Sequence, residues 1–152
     1  YNSLASNTSA VLPFNLGFSD TCQLLRFIPP KPGNLGVGRF IDSAHTDTLP
    51  SDTLVLRVVP GDQAIALLPF KPTVIKIDVE GFEFKVLMGM KKFLKSANKP
   101  RLIFIETSFS YWENEDHQCS PLSLLSSFGY QIKHIKRCNK LIEKYENFLA
   151  YL

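Results

Sequence analysis

The chain has 152 residues, 45% of them hydrophobic and 20% charged, with a formal charge of +3, which describes one soluble globular domain at most, long enough to bury a core. No stretch approaches the roughly eighteen apolar residues a spanning helix needs, and no secretory signal opens the chain. The basic surplus gathers at Lys91, Lys92, Lys95, Lys99 and Arg101, and again at Lys133, Lys136, Arg137, Lys140 and Lys144. Each cluster falls on an expected helix end or loop and lacks an aromatic recognition module, so it reads as solvated surface rather than a nucleic-acid patch.

Taken in chain order, the N-terminal half shows strand-and-turn character. Residues 10–16, 24–28 and 54–59 read as strands, with no convincing long helix among them. Pro29, Pro30 and Pro32 precede a glycine cluster, Gly33, Gly36 and Gly38. No helix follows that cluster, so it reads as a turn and not as a cofactor loop. Cys22 in this half, with Cys119 and Cys138 later, makes an odd set without CxxC spacing, and His117 near Cys119 completes no zinc set. Free thiols suit a reducing compartment, and a cytoplasmic location is expected. The first residue is Tyr1 rather than Met. The chain is therefore expected to be a processed or partial one.

The second half has sharper signals. Residues 74–78 (VIKID) follow Pro72 as a short apolar strand. A helix is predicted over 82–97, with Val86, Leu87, Met90, Phe93, Leu94 and Ala97 forming one apolar stripe. Glu80 and Glu83 lie near its start and Lys91, Lys92 and Lys95 near its end, as the helix dipole favours. Asn98 and Pro100 stop it. Residues 102–105 form a second apolar strand closed by Glu106. Ser120 is placed to cap a helix with Pro121 at its first position, Leu122, Leu125 and Phe128 facing inward, and Gly129 ending it. Residues 130–135 and 148–152 complete the strands. Strand, helix, strand, helix, strand predicts an α/β fold with a parallel core over 74–152, preceded by an irregular strand-and-turn part over 1–60.

The chemistry concentrates in Lys76-Ile77-Asp78-Val79-Glu80-Gly81. In an extended strand Lys76, Asp78 and Glu80 share one face. A central parallel strand is covered on both sides, so three charges there are costly unless paired or set at a cleft. Asp78 and Glu80 fall at the carboxyl end of the strand, where ligand crevices of open α/β sheets lie, and Glu106 ends the next strand in the same way. Two adjacent strands ending in carboxylates imply a polar pocket. The structural alternative is a Lys76 to Glu106 ion pair with Asp78 and Glu80 capping the helix. Ser19 in GFSD lacks the second glycine of a nucleophile elbow. His45, His117 and His134 have no partner at useful spacing, while Tyr111 and Trp112 either line the cleft or pack beneath it.

The run IKIDVEGFEFKVLMGMKKFL, with the strand LIFIE and the closing NFLAYL, resembles the core of FkbM-type methyltransferases. Lys76, Ile77, Asp78, Val79, Glu80, Gly81, Glu83, Val86, Leu87, Gly89 and Glu106 match that family's pattern. Upstream, the segments 15–20 and 33–36 resemble its later strand and glycine-bearing loop. The resemblance implies a Rossmann-like class I methyltransferase sheet with a reversed last strand, here incomplete on its N-terminal side, because no D-x-G-A-N-x-G-like loop is present. It also implies S-adenosylmethionine as cofactor, touched on its adenine side near Gly17, Ser19 and Asp20. The expected reaction is methylation of a hydroxyl on a sugar, polyketide or other small molecule. Asp78, Glu80 and Glu106 are the catalytic candidates, as general base or, less favoured, with Asp78 and Glu106 on a divalent metal. A non-catalytic or degenerate Rossmann-like binding module is the alternative. An incomplete sheet predicts an uncovered edge at 74–78, with no strand from the first fifty residues beside it.

Overall fold

The protein is described from a computed structural model covering residues 11, 13–30, 33, 38–41, 50–107, 120–135 and 146–152. In its first part, β1 (Gly17–Ser19), β2 (Gln23–Ile28), β3 (Arg39–Ile41) and β4 (Leu54–Pro60) form one sheet in the order β1-β4-β2-β3. β1 runs parallel to β4, and β2 is antiparallel to both β4 and β3. The strands expected over 24–28 and 54–59 are present. The strand expected over 10–16 is not, because Val11 and residues 13–16 are irregular and the pairing begins only at Gly17. Pro13 offers no N–H to a ladder, and Val11 and Phe14 remain half or more exposed. At three residues β3 is too short to leave a period in the sequence.

The second part contains α1 (Gly61–Ala66), β5 (Val74–Ile77), α2 (Glu83–Gly89), α3 (Lys91–Lys95), β6 (Leu102–Thr107), α4 (Pro121–Ser127), β7 (Gln131–Ile135) and β8 (Glu146–Tyr151). Its sheet has the order β5-β6-β8-β7. β5 and β6 are parallel, whereas β8 is antiparallel to both β6 and β7. β5, β6 and β7 thus run the same way and only the last strand, β8, is reversed, which makes the sheet mixed. After β7 the chain returns beside the strand it has just left instead of crossing over, which places β8 between β6 and β7. Two mixed sheets with short helices make a mixed α/β fold. β5 is an edge strand, and no described residue before 54 pairs with it.

Period-two alternation assigns the faces of this sheet. Ile77, Ile103, Ile105, Phe148 and Ala150 pack against Val86, Leu87, Leu94, Leu125 and Phe128 of the helical layer. Lys76, Phe104 and Lys133, on the opposite face, stay exposed. α4 is built as its residues dictate, with the Ser123 N–H directed at the Ser120 hydroxyl, Pro121 at the first position and Gly129 at φ +89° after it.

The helix expected over 82–97 is instead two, broken at Met90, whose φ of −103° and ψ of 11° leave the helical region. The break has a tertiary cause. Asp62 in the first turn of α1 reaches the start of α3, where its two carboxylate oxygens accept from the N–H groups of Lys92 at 2.9 Å and Phe93 at 2.8 Å. A residue thirty positions away thus serves as the cap that α3 lacks locally. Asp62→Ala is expected to lower unfolding stability by about 1 kcal/mol, read as a lower urea midpoint at unchanged slope. An unchanged midpoint would show that the cap contributes nothing.

Candidate functional site

β5, the turn after it and the start of α2 carry the carboxylates. Ile77 pairs in register with Ile105, so Asp78 and Glu106 follow at the carboxyl ends of two neighbouring parallel strands. Lys76 and Asp78 make an ion pair of 2.7 Å, with side chains 66% and 36% exposed. The edge expected at 74–78 is present, since β5 pairs with β6 alone among the described residues. Its position at the edge of the sheet leaves Lys76 and Asp78 on an open face, so their charges are tolerated without deep burial. The histidines His45 and His117, the aromatic pair Tyr111 and Trp112, and Cys119 and Cys138 lie outside the described residues.

Glu80 departs from the shared face expected of Lys76, Asp78 and Glu80. The extended backbone ends before it, and Glu80 adopts φ +51°, followed by Gly81 at φ +93°. A left-handed glutamate is uncommon, because its Cβ crowds the backbone. Neither Asp78 nor Glu80 caps α2, whose N-cap is Phe82 with no side-chain cap bond. Glu83, whose charge near the helix start suits the dipole, is 1% exposed. Its Oε1 accepts from the Gly81 N–H at 2.9 Å. Glu83 Oε2 and Glu80 Oε2 are buried without hydrogen-bond partners among the described residues. Burial pushes the Glu83 carboxyl above the ordinary carboxylate range, and the neighbouring Glu80 charge adds to this, while backbone hydrogen bonds, that from Gly81 foremost, pull the other way. The E-G-x-E spacing was the available sign that Glu83 belongs to this turn.

The cofactor candidates separate. Gly17 lines an apolar cavity of about 450 Å³ together with Phe18, Phe40, Ile75, Val79 and Phe82. Ser19 is fully buried, its hydroxyl donating to Asp20 at 3.0 Å, so it presents no surface to a solvent-borne molecule. Asp20 is exposed. Gly89 presses directly against the Ser19 carbonyl, whereas Gly17 faces Phe40, whose ring meets that of Phe82, beside the start of α2, in a tilted contact at 5.1 Å. β1 therefore lies along α2 in the opposite sense. Gly17 stands on the side of the start of α2 and Ser19 against its last residue, Gly89.

Among the described residues no group of three or more His, Cys, Asp or Glu side chains could hold a metal ion. No helix among the described residues is long and apolar enough to cross a membrane.

Comparison with known proteins gives two matches. A family model described as the methyltransferase FkbM domain matches residues 31–141. Among solved structures, the chain is similar to the crystal structure of methyltransferase FkbM from Methylobacillus flagellatus KT, with 24% identity, a TM-score of 0.45, and coverage of 64% of this chain and 24% of that one. The chain thus spans about a quarter of the length of that relative. No curated protein matches.

Proposed function

Because the chain belongs to the FkbM methyltransferase domain family, we propose that the protein transfers a methyl group from S-adenosylmethionine to a hydroxyl oxygen of a small molecule such as a sugar or polyketide. The observation that carries this reading is the placement of Asp78 and Glu106 at the ends of two adjacent parallel strands, with Glu80 in the turn beside them. When bound, the cofactor supplies an electrophilic methyl on a sulfonium sulfur. An O–CH₃ bond forms as the S–CH₃ bond breaks, and the acceptor's hydroxyl proton must leave. Asp78 and Glu80 are the residues of this chain suited to take it. Lys76 holds one Asp78 oxygen, Oδ2, and the second oxygen can accept from an acceptor hydroxyl.

The fit to the cofactor is partial. The apolar cavity bordered by Gly17, Phe18 and Val79 suits a flat ring such as adenine, whereas the exposed Asp20 carboxylate follows the other end of β1 and does not line it. The described residues offer no comparable grouping for a charged amino-acid end. A general-base or acceptor-orienting role is favoured over a metal, since few further oxygen ligands accompany Asp78 and Glu106.

A second reading, a binding module that keeps the fold without catalysis, draws support from the buried Ser19 and the mostly apolar cavity. The two separate in a transfer assay. The full-length protein, given S-adenosylmethionine with a labelled methyl and a panel of sugars and polyhydroxylated acceptors, is expected to form an alkali-stable labelled ether. No label in any acceptor, together with no heat of cofactor binding, would leave the binding module as the better account.

A further inference from the structure

We propose that Glu83 is a positioning residue, whose carboxyl holds the left-handed Glu80–Gly81 turn and so fixes where the Glu80 and Asp78 carboxylates stand. This rests on the methyltransferase reading of the same site. The turn is a conformation the backbone does not choose by itself. Two successive residues take positive φ, and the first of them is a glutamate. The Gly81 N–H lies just ahead of α2, among donors that no intrahelical carbonyl satisfies, and Phe82 at the N-cap has no side chain able to serve it. Glu83 Oε1 reaches back two residues to do so at 2.9 Å. At 1% exposure the carboxyl is held in place by its surroundings, so the bond it makes is a fixed one.

The same arrangement has a cost. Glu83 Oε2 and Glu80 Oε2 are both buried and unpartnered among the described residues, and burying a carboxylate oxygen without a donor is unfavourable. A strained turn held by a half-satisfied carboxyl next to the candidate base is the pattern expected where strain serves to aim a side chain. Glu83 does not face the acceptor in this account. It acts through the turn.

The test uses three variants of the full-length protein. Glu83→Gln keeps an oxygen for the Gly81 N–H and is expected to stay within about threefold of wild type in kcat, with the same pH profile. Glu83→Ala removes the acceptor and Glu83→Asp draws it back by one methylene. Each is expected to lower kcat by roughly a hundredfold, as misplacement of a reacting group does, with a much smaller change in KM. In both, the Gly81 amide should exchange its hydrogen about tenfold faster, the effect of losing one ordinary hydrogen bond. If Glu83→Ala fails to fold, the aspartate variant decides. Folded variants with wild-type kcat and unchanged Gly81 exchange would overturn the proposal, as would a shifted pH profile in Glu83→Gln, which would make Glu83 a titrating group in its own right. Wild-type protein without methyl transfer would sink the functional reading instead, and the Gly81 exchange rates would still decide whether Glu83 holds the turn.

Discussion

Gly89→Ala is expected to destabilise the protein by about 3 kcal/mol, the upper end of what overpacking a close contact costs. A Cβ built at Gly89 would collide with the Ser19 carbonyl oxygen and sit 2.8 Å from its carbon. Both are backbone atoms, so no side chain can swing aside to make room. Ser19 belongs to β1, which is tied in register to β4 through Ser19 and Pro60, and relief would require separating α2 from that sheet. For a domain of this length the loss corresponds to a drop in Tm of roughly 6–12 °C. Thermal unfolding followed by circular dichroism measures it, with Lys91→Ala, on the exposed surface of α3, as a control expected within about 0.5 kcal/mol of wild type. A Gly89→Ala protein that melts with wild type would show that α2 and β1 do not meet as closely as described.

Substitution of the carboxylates should act on rate. With a carboxylate as general base, Asp78→Asn or Glu80→Gln is expected to lower turnover of the full-length protein by roughly a hundred- to ten-thousand-fold. EDTA should leave the unmutated rate intact, because a general base needs no metal. Loss of turnover with EDTA, together with Asp78→Asn inactivity, would instead assign Asp78 and Glu106 to a metal. If Asp78 and Glu80 only support the start of α2, each substitution costs near 1 kcal/mol of stability with a nearly normal rate. The structure argues against that outcome for capping, since α2 takes no side-chain cap from either residue. Normal turnover in both variants would end the catalytic reading of this cluster.

The residues by themselves determine the elements whose causes are local. Ser120, Pro121 and Gly129 delimit α4 because capping, a fixed proline φ and a left-handed glycine act within a few residues. The apolar runs at 74–77 and 102–105 specify two strands, and the carboxylates that follow mark the ends where a site forms. The methyltransferase family was legible in the same segment. What the tertiary structure decided comes from contacts between residues thirty to seventy positions apart. Asp62 caps α3 and divides a stripe that reads as one helix, because a helix start goes where its unsatisfied N–H groups find an acceptor, whatever its sequence distance. Gly89 is required by the Ser19 backbone, not by the helix that contains it. The charges on β5 sit on an edge strand, where Lys76 and Asp78 pair on an open face. Glu83 reads in the sequence only as a charge suited to a helix start, and the packing around α2 is what buries it. Periodicity and capping are short-range and leave their mark in the sequence. Which face is covered, and by what, is settled by the approach of distant segments, and no local pattern records it.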